Sequence, residues 1–220
     1  MNRPTAARVV GALFIIATVS GVLSVTLIST DPASAVAQPA RTALGALLVF
    51  VMIMAIAIIP AAAFPILRRH DEGLAAAYLA ARSLEAAVLL PAAIGPLLLL
   101  ELGTAQDAST SALLLGYEQW GGSFSTTIFC VGALILNGLL YRTRLVPRLI
   151  STWGMAGAVL HLMGSVLVVF QVLAPWSAPI VALTVPIGIN EMVLAGWLLV
   201  RGFSHPAAEA EGVQPTYALT

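Results

Sequence analysis

Four ionisable side chains lie inside apolar stretches of the sequence, where they could bind or transfer protons. Arg82 and Glu85 are three residues apart in YLAARSLEAAVLLP, residues 78–91, and His161 and Glu191 lie in two further apolar stretches. A charged side chain at the centre of a membrane-spanning helix costs at least ~2.5 kcal/mol, so such groups normally face the protein interior, a partner or water. Two carboxylates in unlike surroundings can serve as proton donor and proton acceptor of one site.

The composition indicates that these stretches are surrounded by lipid. Of 220 residues, 60% are hydrophobic and 9% are charged, and the mean hydropathy is +0.98. A soluble domain has about half apolar and about a quarter charged residues, so this chain has too few polar residues to cover a globular surface. The net charge is zero, which predicts no nucleic-acid partner. Membrane lipids are the expected surroundings.

Six apolar stretches are long enough to cross a bilayer, which takes about 20 residues. The third contains Pro91 and Gly95-Pro96, and in the fourth Gly121-Gly122 could break one long helix into two. We expect an all-α, polytopic six-helix bundle that forms a single transmembrane domain, residues 1–203, followed by a disordered cytoplasmic tail at 204–220. The predicted spans are 8–28, 42–66, 74–100, 113–140, 149–172 and 180–200.

The arginines predict the orientation of the bundle. Eight lie on one side of the six spans, only Arg41 lies on the other, and Arg82 is the tenth. The positive-inside rule then places both termini in the cytoplasm, and we expect the protein in the inner (plasma) membrane. The sequence ASA at 33–35 resembles a signal-peptide cleavage site, but the apolar stretch before it exceeds the 7 to 15 residues of a signal core. The eight arginines are Arg3, Arg8, Arg68, Arg69, Arg142, Arg144, Arg148 and Arg201.

Four segments of the chain resemble a bacterial six-span membrane family known as domain of unknown function 4386. The segments are LLYRTRLVPRLISTWGMAG, NEMVLAGWLLVRGF, ARVVGALFIIATVSGVLS and ARSLEAAVLL, and the resemblance extends from Arg8 to Phe203. It implies a six-span fold and no established activity, substrate or cofactor. The matching positions are Arg82, Glu85, the loop from Tyr141 to Pro147 with Arg142, Glu191, Trp197 and Gly202.

The ionisable residues are expected at one depth in the membrane. With a rise of about 1.5 Å per residue, Arg82 and Glu85 lie about 12 and 16 Å from the cytoplasmic face, His161 about 18 Å and Glu191 about 15 Å. Asn190 adds an amide beside Glu191. We therefore predict that Arg82, Glu85, His161, Asn190 and Glu191 form a ligand-binding site near the midplane. Arg82 is expected to hold Glu85 ionised, which leaves Glu191 as the protonated carboxyl.

A structural alternative uses the same residues. Arg82 and Glu85 can pair on their own helix, and His161 and Glu191 can form a second pair that joins the fifth and sixth spans. Buried ion pairs of this kind can simply specify how helices pack. No metal site or cofactor is predicted, because the sequence has no His-Glu-x-x-His motif and no thiolate pair. Short cytoplasmic loops also leave no room for a nucleotide-binding domain.

Two functional hypotheses and the structural alternative follow. In the first, the site binds or transports a small lipid-soluble or amphipathic ligand, with proton exchange at Glu85 and Glu191 and an anionic group at Arg82. In the second, the protein is an intramembrane enzyme that acts on an apolar lipid or isoprenoid, with catalytic candidates Glu191, Glu85 and His161. In the third, it is an assembly partner of another membrane protein. The sequence favours binding or transport, and leaves the ligand and the oligomeric state open.

Overall fold

A computed structural model of the chain describes residues 2–29, 31–103 and 107–204. Within these ranges there is no strand, and six helical segments are long and apolar enough to cross a membrane. The prediction of an all-α six-span bundle is confirmed. The predicted tail lies outside the described residues except for Ser204. The helices are α1 (Arg3–Leu27), α2 (Pro32–Ala37), α3 (Pro39–Leu67), α4 (Glu72–Val88), α5 (Leu90–Leu102), α6 (Ala108–Thr143), α7 (Arg148–Val169) and α8 (Ala178–Val200).

The short helix α2 was not predicted. The Asp31 carboxylate accepts a hydrogen bond from the Ser34 amide at 3.0 Å, and Pro32 occupies the first turn. Aspartate as an N-cap followed by proline is a favoured helix start, so DPAS was the signal to look for. The same capping begins two of the long helices, because Asp71 accepts from the Leu74 amide at 2.9 Å and Asp107 from the Thr110 amide at 2.7 Å.

The spans form a closed ring in the order of the sequence. α1 packs against α3, α3 against α4 and α5, α4 and α5 against α6, α6 against α7, and α7 against α8, which returns to α1. The seam between α1 and α8 is close, because a Cβ added to Gly11 would lie 2.8 Å from the Ala195 carbonyl oxygen. Glycine lets the two backbones approach, as small residues commonly do between membrane helices.

The third span, made of α4 and α5, is kinked at Leu89. Pro91 has no amide hydrogen to donate to the preceding turn, which explains a break just before it. The kink packs closely against α6, since a Cβ on Gly121 would lie 2.8 Å from Pro91 Cβ and 3.2 Å from the Val88 carbonyl oxygen. The irregular third span is confirmed. The break expected at Gly121-Gly122 was wrong, because α6 runs through both glycines and Gly121 provides space for the kink instead.

One end of the bundle carries the arginine-bearing loops and is tightly packed. Arg142, near the end of α6, lies 3.8 Å from Asp71 at the start of α4. In the loop after α6, Arg144 has a left-handed backbone and the chain turns back, so that Leu145 and Val146 are 0% and 1% exposed. The amide of Ser204, beyond α8, donates to the Leu145 carbonyl at 2.8 Å. We call this end of the bundle the arginine-rich end.

Candidate functional site

One face of α4 supplies the charged residues of the site. Ala75, Tyr78, Arg82 and Glu85 recur at helical spacing and are all buried. Residues three, four and seven positions apart share one face of a helix, so this pattern points three polar side chains into the ring. Arg82 is ten residues from the first residue of α4, about 15 Å along the axis and close to the middle of a hydrocarbon layer about 30 Å thick.

Arg82 and Glu85 form a buried ion pair. Arg82 Nη1 lies 2.9 Å from Glu85 Oε2, and each side chain is 4% exposed. The predicted pairing along one helix is confirmed. The backbone carbonyl of Glu85 accepts a hydrogen bond from the Ser125 hydroxyl on α6 at 3.2 Å, just before the kink. The pair is therefore held next to the point where the third span bends.

The surroundings of Arg82 on α6 fit a cation. Its guanidinium carbon lies 5.4 Å from the centre of the Phe129 ring, in the range of a cation–π contact. Its aliphatic part passes Gly132, where an added Cβ would lie 3.3 Å from Arg82 Cδ. The absence of a side chain at Gly132 thus leaves room for the stem of the arginine.

A small cavity lies at the centre of the ring, between α1, α4, α6 and α8. Its volume is ≈ 10 Å³, which is about the space that one water molecule needs. Apolar walls come from residues such as Phe14, Phe129 and Leu194. The polar residues that line it are Tyr78, Arg82, Asn137, Asn190 and Glu191.

Several polar groups on these lining residues have no partner. Arg82 Nε and Asn190 Oδ1 are buried without a hydrogen bond. Within residues 2–29, 31–103 and 107–204, neither the Tyr78 hydroxyl nor the Glu191 carboxylate makes a hydrogen bond or ion pair. An unsatisfied buried polar group costs about 1–3 kcal/mol, so Arg82 Nε and Asn190 Oδ1 are suited to a polar occupant of the cavity.

Glu191 and Asn190 reach the cavity from α8. Glu191 is nine residues from the last residue of α8, about 14 Å along the axis, which matches the height of Arg82. Arg82 attracts the Glu191 carboxylate across the cavity. Asn190 is 1% exposed, and its amide nitrogen donates to the Ile150 carbonyl of α7 at 2.8 Å. The structure thus brings three of the five predicted site residues, Arg82, Asn190 and Glu191, to one cavity.

The other two predicted residues do not line the cavity. Glu85 faces Arg82 on the side towards the kink. His161 Nδ1 lies 2.9 Å from the Thr184 hydroxyl of α8, and its ring meets the Phe129 ring edge-on with centroids 5.9 Å apart. The suggested pair of His161 with Glu191 was wrong. Matched height along two helices does not fix their rotation, and His161 is directed towards Thr184.

The sequence-based prediction of site residues missed Tyr78 and Phe129. Tyr78 stands four residues before Arg82, a spacing that puts both on one face of α4 and could have identified it. Phe129 has no comparable signal, since an aromatic residue in an apolar helix usually packs in the core. Its position between Arg82 and His161 is visible only in the packed bundle.

Asn137 lines the cavity and packs against α7 at Gly154. Its amide nitrogen donates to the Ala133 carbonyl at 2.9 Å, and its oxygen lies against the Gly154 backbone without a hydrogen bond. A Cβ at Gly154 would overlap the Asn137 amide. Among the residues that the structure describes, no group of three or more His, Cys, Asp or Glu side chains could hold a metal ion.

Six apolar spans with a buried ion pair define this protein as a multi-pass integral membrane protein. Residues 9–202 match the family described as domain of unknown function 4386, and the chain belongs to that family. The resemblance noted in the sequence is confirmed. No curated protein and no solved structure matches the chain.

Proposed function

We propose that this chain is a binding or transport protein of the bacterial inner membrane, whose midplane site takes up a proton at Glu191 and a small amphipathic ligand at Arg82. In this site the polar or anionic end of the ligand meets the guanidinium. The proposal is carried by the central cavity, whose lining residues Tyr78, Arg82, Asn190 and Glu191 have polar groups without partners.

The charge balance supports proton binding at Glu191. Arg82 already pairs with Glu85 at 2.9 Å, so it compensates one carboxylate fully and attracts Glu191 only across the cavity. A second carboxylate in this apolar ring carries an uncompensated charge when ionised. Protonation of Glu191 removes that charge, and an anionic ligand group that pairs with Arg82 favours this protonation, because it weakens the attraction of Arg82 for the Glu191 carboxylate. A proton and a ligand can therefore influence each other at this site.

In this arrangement the cavity is too small for any ligand beyond a water-sized group, so uptake of an amphipathic ligand requires the ring to open. A volume of ≈ 10 Å³ holds one water-sized group, whereas sites for small molecules usually have about 300–1,000 Å³. An isoprenoid or quinone does not fit between Arg82 and Glu191 in this arrangement. A larger ligand requires the ring to open, and the kink at Leu89, directly after Glu85, is where the third span can bend.

Infrared difference spectroscopy of the detergent-solubilised protein tests proton binding. A pH change is expected to give the band of a protonated carboxyl group in a dry environment, and Glu191→Gln is expected to lose it. Glu72→Gln is the matched control, because Glu72 is exposed in the first turn of α4. The melting temperature of Glu191→Gln should stay close to wild type. A large drop in melting temperature, with an unchanged carboxyl band, would show that Glu191 only holds helices together.

Reporter fusions test the proposed orientation. Fusions at Arg69, at Arg144 and after the last residue are expected in the cytoplasm, and fusions near Ala37 or Asp107 outside it. The expectation rests on the eight arginines of the arginine-rich end against Arg41 alone at the other. A fusion at Arg144 that reports the outside contradicts it.

A further inference from the structure

A groove lies on the lipid-facing side of the bundle and shares no lining residue with the central cavity. It has a volume of ≈ 470 Å³ and runs between the kinked third span and α6. Its walls are mainly apolar, and its floor is the contact of Gly121 with Pro91. The side chains that form its walls include Val88, Pro91, Ile94, Tyr117, Trp120 and Phe124.

The groove lies at the edge of the hydrocarbon layer, in the leaflet away from the arginine-rich end. α6 ends at Thr143, and Phe124 is 19 residues before that end, about 28 Å along the helix. Glu118 is 25 residues before Thr143, about 38 Å along it. Because the hydrocarbon layer is about 30 Å thick, Phe124 lies at its edge and Glu118 among the headgroups. Tyr117 and Trp120 are also typical of that level.

Glu118 is not itself a wall residue of the groove, but it follows Tyr117 and lies about one helical turn from Gly121, both of which line it. Its side chain rests on α5 at Gly95, where an added Cβ would lie 3.3 Å from Glu118 Cβ and 3.7 Å from Oε2. The residue is partly buried, and among the described parts of the chain its carboxylate makes no ion pair or hydrogen bond. A carboxylate held between helices at a membrane surface is complementary to a cation that donates hydrogen bonds.

We infer that the groove binds a membrane phospholipid with a primary ammonium headgroup, such as phosphatidylethanolamine. One acyl chain lies along the deeper walls of the groove, at Val88, Pro91 and Phe124, and the ammonium group donates to Glu118. This surface faces lipid, so a hydrocarbon chain is the group that the apolar walls are expected to contact. The unpaired carboxylate next to the groove selects the headgroup. This site is separate from the central cavity and does not depend on the function proposed for it.

Native mass spectrometry of the solubilised protein tests the inference, with phosphatidylethanolamine, phosphatidylcholine and phosphatidylglycerol of identical chains added in turn. The ethanolamine lipid is expected to bind best, since it alone combines a positive charge with ammonium donors. The anionic glycerol lipid is expected to bind about tenfold more weakly, as the loss of one charge-assisted hydrogen bond predicts. Equal binding of all three lipids to the wild type would overturn the headgroup assignment.

Substitutions separate the headgroup contact from the groove. Glu118→Gln is expected to abolish the preference among the three lipids while some binding remains. Ala87→Phe, at an exposed groove position, is expected to fill the groove and reduce binding of all three. Ala80→Phe is the matched control, since Ala80 is also exposed on α4 but does not line the groove. Unchanged binding in Ala87→Phe, with the fold verified by its melting temperature, would overturn the site.

Fluorescence gives a second readout at the groove. In a variant with Trp153, Trp176 and Trp197 replaced by phenylalanine, Trp120 is the remaining tryptophan. Phosphatidylethanolamine with a brominated chain is expected to quench it in a saturable way, and Ala87→Phe to remove the saturable part. Quenching that rises in proportion to lipid, without saturation, would mean that no site exists. Glu191→Gln should leave the quenching unchanged, so this test and that of the central cavity can fail independently.

Discussion

The half of the bundle towards the arginine-rich end and the half that contains the groove differ in how closely their side chains pack. Towards the arginine-rich end, 21 of the described residues form one apolar cluster, to which α1, α3, α4, α6, α7 and α8 all contribute. The largest cluster elsewhere has eight residues and involves only α1, α3 and the kinked third span. The groove beside Trp120 lies in this more open half. One half therefore resembles the core of a soluble protein, and the other is completed by lipid.

This difference in packing determines how firmly buried polar side chains are held in place. Close packing allows little rearrangement, so a side chain in the tight half keeps the position that its neighbours set. Tyr78 and Leu136 belong to the large cluster and also line the central cavity, which therefore has firm walls. Replacing a buried polar residue in the half towards the arginine-rich end should lower the free energy of unfolding more than replacing one in the other half. The following substitutions test this.

The largest effect is expected at the ion pair. Arg82→Ala strands the Glu85 carboxylate, which is 4% exposed, and should reduce the free energy of unfolding by about 3–5 kcal/mol. Arg69→Ala, at an exposed position of the arginine-rich end, should change it by less than about 0.5 kcal/mol. Denaturant titration in mixed micelles measures both.

A double variant sharpens this expectation. Arg82→Ala with Glu85→Ala removes the stranded carboxylate together with its cation, so the loss should be smaller than the sum of the single losses. Additive losses would show that the two side chains do not depend on each other, contrary to the geometry of the pair.

A smaller effect is expected at the contact of α6 with α7. Gly154→Ala places a methyl group against the Asn137 amide and should cost about 1–3 kcal/mol. Asn137→Ala should relieve part of that cost when the two changes are combined. Gly138→Ala is the control, because nothing lies within 4 Å of a Cβ there. Thermal melts of the four variants give the coupling energy between positions 154 and 137. If Gly154→Ala destabilises the protein no more than Gly138→Ala does, the close packing of Gly154 against Asn137 is contradicted.

The hydrogen bond beside the kink should contribute less again. Ser125→Ala removes the bond from its hydroxyl to the Glu85 carbonyl and should cost about 0.6 kcal/mol, the average for such bonds between membrane helices. Ser123→Ala removes only a bond to the Gln119 carbonyl of the same helix, and should be close to neutral. If the two variants unfold at the same denaturant concentration, the bond between the helices does not stabilise the kink.

The smallest effect concerns pH, at the start of α6. Hydrogen bonds from the side chain and backbone of Thr110 lower the pKa of Asp107 below its ordinary value of 3.8. A group whose pKa is lower in the folded state stabilises that state above the ordinary pKa, and the contribution disappears as the pH falls through the folded pKa. The difference in melting temperature between wild type and Asp107→Ala should stay constant from neutral pH to about pH 5 and shrink by about pH 3. If the difference in melting temperature grows as the pH falls, the pKa of Asp107 is not lowered in the folded state.

The sequence predicted the features that depend on one helix at a time. Apolar runs predicted six spans, which is the number of helical segments in the described residues that are long and apolar enough to cross a membrane, and the spacing of Arg82 and Glu85 predicted their pair. Features that depend on the rotation of a helix about its axis were not predictable. His161 has the height of Glu191 but is directed towards Thr184, and this direction is decided by how α7 packs on α8.

The role of the two glycines in α6 was also not predictable from the sequence. Gly121 and Gly122 suggested a break in α6, because glycine weakens an isolated helix. In the bundle Gly121 provides room for Pro91, and an added Cβ at Gly122 would have nothing within 4 Å. The sequence shows that a side chain is missing, and only the neighbouring helix shows whether the space is used. The central cavity likewise depends on four helices at once, so its small volume could not be predicted.

The closed ring has a consequence for how the protein is made. Five of its six principal contacts join spans that follow each other in the chain, so each can form as soon as the later span leaves the ribosome. The sixth, between α1 and α8, joins the first span to the last. Until α8 is inserted, the Gly11 face of α1 that receives the Ala195 backbone is open to the membrane. A chain that stops before Ala178 keeps five spans in order, yet has an open side where the sixth would complete the central cavity.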